Sequence, residues 1–327
     1  MPSQPSNPIS TSGSGFHFEA HVQAMFVTLM LSGGLVPHMP PWPISRIKLQ
    51  GRDEGYETDD VIVWLKDPTT GEERRLICQI KRTIHITKTD KPFKDSLQGM
   101  WEDFNAEWFH KDRDILLLIC RQSSFVDSEV GEFLINQAKS ALNVEEFERK
   151  VRSANFGPVK RQEKLEIIRE ILEDAKGAAL APQELLEFLK SFLILNIDLG
   201  TEYGMTLPLL LSHILPFQTG DPYYTWARIV EHVHNVGQIA GCIVKDNIPE
   251  DLRELFKPRS IIHIPIDLAL PTELHGNPMS GQETLLAQIM LVGAWDERSD
   301  SDRSFMDLLI GGNWIDTARQ ALHPPMY

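Results

Sequence analysis

The sequence predicts a mixed α/β fold, and three stretches carry that prediction. Thr58–Thr83 (TDDVIVWLKDPTTGEERRLICQIKRT) places two apolar, β-branched runs, Val61–Leu65 and Leu76–Ile80, around Pro68-Thr69-Thr70-Gly71. Residues of the first kind favour strands and the tetrapeptide is turn chemistry, so the stretch reads as a β-hairpin. Asp114–Cys120 is oily almost throughout, as a central strand covered on both faces is. Phe18, Val22, Met25, Phe26, Leu29 and Leu31 recur at helical spacing ahead of Gly33-Gly34, which stops the run.

The remaining elements follow in order. Met1–Gly15 is rich in Ser, Pro and Gly and is expected to be a disordered tail. After the first helix and a proline-rich loop, Ile44–Gln50 alternates apolar with polar residues and reads as a strand. The hairpin comes next, then a helix over Phe93–Phe109 with Leu97, Met100, Trp101 and Phe104 on one side. The oily strand and a helix over Val126–Ala141 complete an arrangement of helix, three strands, helix, strand, helix.

Beyond Ala141 the chain turns charged and helical. Val144–Ala175 carries acid–base pairs at helical spacing and is expected to break at Gly157-Pro158. Pro182–Phe192 is a helix opened by proline, Phe192–Leu199 a short strand-like run, Leu207–Ile214 an apolar run, and Pro222–Ala240 a further helix. The order hints at a winged helix, but no helix carries a clustered basic face, so a helical structural or oligomerisation module is expected. The domain reading is a tail over 1–15, an α/β domain over 16–142, a helical connector over 143–258 and a C-terminal α/β segment over 259–327. In that last segment Arg259–Leu268 reads as a strand, Thr284–Ala294 as an apolar run and Phe305–Ile310 as a helix.

Composition bounds the function. The chain has 327 residues, 42% hydrophobic and 24% charged, with a net charge of −14. This argues against a generally basic nucleic-acid coat while leaving room for a local basic cleft. Its 3 cysteines stand far apart, which fits reduced thiols rather than a disulfide or zinc framework. No apolar run approaches the roughly 18 residues of a membrane span, so a soluble, cytoplasmic protein is expected. No Walker A loop, GxSxG or HExxH motif is present.

Chemistry gathers at one end of the hairpin. Asp59-Asp60 opens the first strand, and Gln79 and Lys81, two apart on the second, share a face while Ile80 turns into the core. Charged and amide groups on an oily hairpin are costly unless they bind something. A carboxylate beside an amide and an ammonium can hold a hard cation and the phosphate it acts on. The alternative is an exposed strand end with a solvated Asp–Lys pair. Glu19 falls in the first turn of the opening helix, where the dipole alone would account for it.

These residues carry a resemblance. The αβββαβ order, with GFHFEAHVQA near the start, GYETDDVIV and the QIK triplet, resembles the PD-(D/E)XK nuclease superfamily over about Phe16–Ala141. Within it the chain looks most like the Mrr-related double-stranded-DNA nuclease domain, the effector of CBASS-type and NLR-like (STAND) bacterial antiphage proteins. The resemblance implies that Asp60 is the metal-binding carboxylate, with Asp59 as second choice. It implies that Gln79 stands where most members carry Glu or Asp, that Lys81 is the motif lysine, and that Glu19 completes the site. An amide is a weaker ligand than a carboxylate, although glutamine is tolerated in the related antiphage domains.

The expectation is therefore a Mg²⁺-dependent endonuclease on double-stranded DNA, with Mn²⁺ able to substitute. It would be activated by homo-oligomerisation or by a partner such as a STAND-type or other ATPase and sensor. Lys48, Arg52, Arg82 and Lys88 are the candidate DNA-contacting cations, although Glu54, Glu57 and Asp90 lie among them. The rival reading is a catalytically silent nuclease-fold scaffold that binds nucleic acid or assembles a defence complex.

Overall fold

In the computed structural model the described residues are 13–153, 158–201, 203–217 and 221–256, all within one unit of the chain, Met1–Lys257. The expected elements at 259–268, 284–294 and 305–310 lie outside them.

The chain opens with α1 (Gly13–Ser32), which ends at Gly33 in the left-handed region, φ 71°. It starts inside the expected tail. Glu19 is therefore seven residues in, and no acid occupies the first turn, so the dipole account of Glu19 fails. Then come β1 (Ile44–Leu49), a 3₁₀ turn (Gly51–Glu54), β2 (Val61–Lys66) and β3 (Glu73–Ile84). The hairpin forms as the sequence predicts, antiparallel from Val61↔Cys78 to Lys66↔Glu73, and its turn is closed by Gly71 at φ 75°.

Next, α2 (Lys91–Phe104) starts at Asp90, whose carboxylate accepts from Phe93 N, and ends five residues earlier than predicted. β4 (Ile115–Ser123) runs parallel to β3, and its stretch Leu116–Cys120 is 0–2% exposed. α3 (Phe125–Ser140), α4 (Val144–Arg152), α5 (Pro158–Lys176) and α6 (Pro182–Ser191) follow, leading into β5 (Phe192–Asn196). After α7 (Thr206–Ile214) and α8 (Pro222–Gly237) come β6 (Cys242–Ile243) and α9 (Glu250–Glu254).

One mixed six-stranded sheet results, in the order β5-β4-β3-β2-β1-β6. β5 adds parallel to β4, and β6 adds antiparallel to β1. Both edge strands thus come from beyond residue 142, so the sheet crosses the expected boundary and residues 143–258 do not form a separate helical module. Helix packing agrees, since α2 lies against α5, α3 against α6, and α1 against α7 and α8. No helix among the described residues is long and apolar enough to cross a membrane.

Candidate functional site

The segment before β2 is held from two sides. On one side, Asp103 of α2 is 1% exposed and accepts from the backbone N–H groups of Glu57 (2.9 Å) and Thr58 (2.7 Å). On the other, the Gly51 N–H donates to Asp59 O at 2.7 Å. Gly51 is buried here, and any Cβ would meet the Ile62 side chain at 2.3 Å.

This fixes Asp60 one step beyond the paired Val61 and Cys78, where three donors converge on its Oδ2. They are Gln79 Nε2 at 2.5 Å, Ile80 N at 2.6 Å and Lys81 Nζ at 3.4 Å. Asp60 and Gln79 are 8% and 7% exposed as residues, while the Lys81 side chain keeps 30% of its surface open. The alternation rule holds: Gln79 and Lys81 reach the same carboxylate, and Ile80 is buried.

Glu19 joins this group from α1. One helical turn on, Gln23 donates through Nε2 both to Glu19 Oε1 (3.1 Å) and to Asp60 O (2.9 Å). Gln50, in the turn after β1, donates its Nε2 to the same Glu19 Oε1 at 2.7 Å. The structure therefore brings Glu19, Asp60, Gln79 and Lys81 together. Asp59 pairs with a different cation, its Oδ2 lying 3.4 Å from Arg52 Nε.

Electrostatics set this cluster apart. Burial, then the charges of Asp60 and Asp59, push the Glu19 carboxyl up to about 8, against the pull of Lys81. Burial and Asp60 likewise push Asp59 up to about 6, against the pull of Arg52. Acids that raise one another in this way are what a divalent cation relieves, and oxygen donors suit Mg²⁺ or Mn²⁺. Among the described residues no group of three or more His, Cys, Asp or Glu is placed to hold a metal by itself. A cation here would draw on the Glu19 and Asp60 carboxylates together with the Gln79 amide.

The expected DNA-contacting cations fare differently. Lys48 is 3% exposed, and its Nζ donates to Asp53 Oδ2 (2.8 Å) and Ala240 O (2.7 Å) and lies 3.6 Å from Glu54 Oε1. Its charge is consumed inside the protein, because the chain leading into β6 covers the face of β1 that the alternation pattern left open. Arg52 is spent on Glu57 and Asp59, and Lys88 pairs with Glu170. Arg82 is exposed, next to Lys81.

Gln23, Gln50 and Asp103 escaped the sequence reading. Gln23 could have been found, since it follows Glu19 at i+4 on the same helical face. Asp103 sat unremarked on a helix read for its apolar side. Gln50 carries no signal in the sequence, because only the backbone of its turn aims it.

No family model and no curated protein matches the chain. Solved structures do. A Cap4 SAVED/CARF-domain containing receptor from Acinetobacter baumannii with the cyclic trinucleotide 3'3'3'-cAAA is 14% identical with a TM-score of 0.41. A second structure of that receptor has a TM-score of 0.42, and the Moraxella osloensis receptor is 15% identical with a TM-score of 0.38. These three alignments cover 76%, 76% and 72% of this chain. The chain spans less than half the length of each receptor, at 47%, 46% and 46%.

Proposed function

We propose that this chain is a divalent-cation-dependent endonuclease that hydrolyses phosphodiester bonds of double-stranded DNA. The supporting observation is the meeting of Gln79, Ile80 N–H and Lys81 on one oxygen of Asp60, with Glu19 tied to the same residue through Gln23. Glu19, Asp60 and Gln79 would hold Mg²⁺ or Mn²⁺. When bound, the ion supplies Lewis acidity toward a phosphoryl oxygen and lowers the pKa of a bound water.

The protein's own groups have separable tasks. The Ile80 N–H fixes Asp60 Oδ2 from a rigid strand, where geometry is better kept than on a loop. Lys81, with its side chain partly open to solvent, supplies positive charge toward a phosphate that gathers negative charge during attack. Gln79 bridges the two strands and keeps Asp60 facing Lys81.

The biological setting we propose, bacterial antiphage defence, rests on the resemblance of the Phe16–Ala141 sequence to Mrr-related effector domains. One site cuts one strand, so duplex cleavage calls for pairing of sites by oligomerisation or a partner. A silent scaffold has one observation in its favour: Asp60 Oδ2 is already satisfied by three protein donors.

Plasmid cleavage in Mg²⁺, over a range of protein concentrations, decides between these readings. The nuclease reading expects Asp60→Ala and Lys81→Ala each to lose about 10²–10³-fold in rate, the scale of removing one preorganised electrostatic group. DNA binding without cutting, in Mg²⁺ and in Mn²⁺ alike, favours the scaffold.

A further inference from the structure

Gln50 is the residue of this site whose conformation most needs explaining. Its backbone lies in the left-handed region, φ 53° and ψ 63°, a rare state for a residue with a side chain. Its neighbour Gly51 could have taken that conformation without strain but does not carry the positive φ. What the arrangement achieves is placement: the Gln50 amide reaches Glu19 Oε1 at 2.7 Å, and Gln23 reaches the same oxygen at 3.1 Å. Gln23 also donates to Asp60 O at 2.9 Å, so one amide spans both acids. Gln23 is itself 4% exposed, which leaves it little freedom to turn away.

Two neutral donors on one carboxylate oxygen have a specific consequence. They fix the position of Glu19 without adding a positive charge to the pocket, as a lysine there would, and both engage the same oxygen, Oε1. Backbone strain persists only where the surroundings enforce it, and it gathers where pre-organisation matters.

We propose that Gln50 and Gln23 form an amide bracket that positions Glu19 against Asp60, and so sets how tightly the pocket takes a divalent cation. This deepens the metal-dependent reading above and rests on it. Neither glutamine is a catalytic residue; both act through Glu19.

The test is Mn²⁺ binding to the full chain, read as loss of the free-ion paramagnetic resonance signal, for wild type, Asp60→Ala, Gln50→Gly and Gln23→Leu. Gln50→Gly removes the amide while suiting the left-handed backbone, so its unfolding temperature should match or exceed wild type. Its Mn²⁺ dissociation constant should rise about tenfold, the loss of one hydrogen bond to a charged group. In plasmid cutting, the Mg²⁺ concentration for half-maximal rate should rise similarly, with the rate recovered at saturating Mg²⁺. Gln23→Leu should weaken Mn²⁺ binding at least as much.

Wild-type Mn²⁺ affinity in Gln50→Gly overturns the bracket alone, provided Asp60→Ala has lost binding. A lowered unfolding temperature with unchanged affinity does the same, since it marks a merely structural role. Equal or absent Mn²⁺ binding in wild type and Asp60→Ala overturns both the bracket and the metal-dependent reading.

Discussion

The two ends of β3 treat charge in opposite ways. At its beginning, Arg75 and Asp114 form a closed pair: Asp114 is 2% exposed, Arg75 Nη2 lies 2.5 Å from its Oδ2 and Arg75 Nε 3.1 Å from its Oδ1. The His110 N–H adds a further bond to Asp114 at 2.8 Å, and the guanidinium sits 4.9 Å from the centre of the Trp108 ring. One cation meets one anion, with the spare donors and acceptors used. At the other end, Glu19, Asp59 and Asp60 gather around one lysine and one arginine, and two of the acids are pushed up towards neutrality. A fold that needed only stability would build both ends like the first. The second end gathers three acids around two cations in partial burial, and the metal-dependent function proposed above takes this imbalance as its cation site.

The comparison can be broken by mutation at either end. Arg75→Ala should cost about 3–5 kcal/mol in chemical denaturation, because it strands Asp114 as an uncompensated buried charge. At the other end Glu19→Gln should do the reverse. It should abolish Mg²⁺-dependent cutting, and it should leave the cation-free protein at least as stable as wild type at pH 8.

The pH dependence sharpens the second case. An acid whose folded pKa exceeds its ordinary value keeps its proton longer in the native state. Glu19, moved from 4.5 to about 8, thus contributes fully below pH 4.5, and that stability is lost as pH rises towards 8. Asp59 has the same sign between 3.8 and about 6. The limiting slope is about 1.4 kcal/mol per pH unit per proton. Urea melts of Glu19→Gln across pH 5–8 should show a flatter decline than wild type, and equal slopes would place the titration elsewhere.

The smallest expected effect concerns Lys48. Its ammonium is satisfied inside the protein. Lys48→Met should therefore lower stability and leave the salt dependence of DNA binding unchanged. A changed slope in Lys48→Met would mean that this lysine leaves its carboxylates to meet phosphate.

Much of the arrangement was legible because it is written locally. The hairpin followed from β-branched runs around a Pro-Thr-Thr-Gly turn, and the shared face of Gln79 and Lys81 from the two-residue period of a strand. What is set by distant pairing was not legible. Phe192–Leu199 was recognised as strand-like, but parallel pairing with β4 leaves no mark in either segment, so the boundary at residue 142 was misplaced. Lys48 was misread for the same reason: the segment that covers it lies almost two hundred residues on, with the Ala240 carbonyl accepting a hydrogen bond from its ammonium. The resemblance alone preferred Asp60 over Asp59, but the acidic pair was visible before its strand. Gln50 was not, because its role depends on one backbone angle.

The most direct measurement is a crystal of this chain soaked in Mn²⁺ at neutral pH. An anomalous peak within bonding distance of Glu19, Asp60 and Gln79 is the result expected. A well-ordered pocket with no peak there, or Mn²⁺ bound only at other carboxylates, would contradict the claim that this end of the sheet is built to hold a metal.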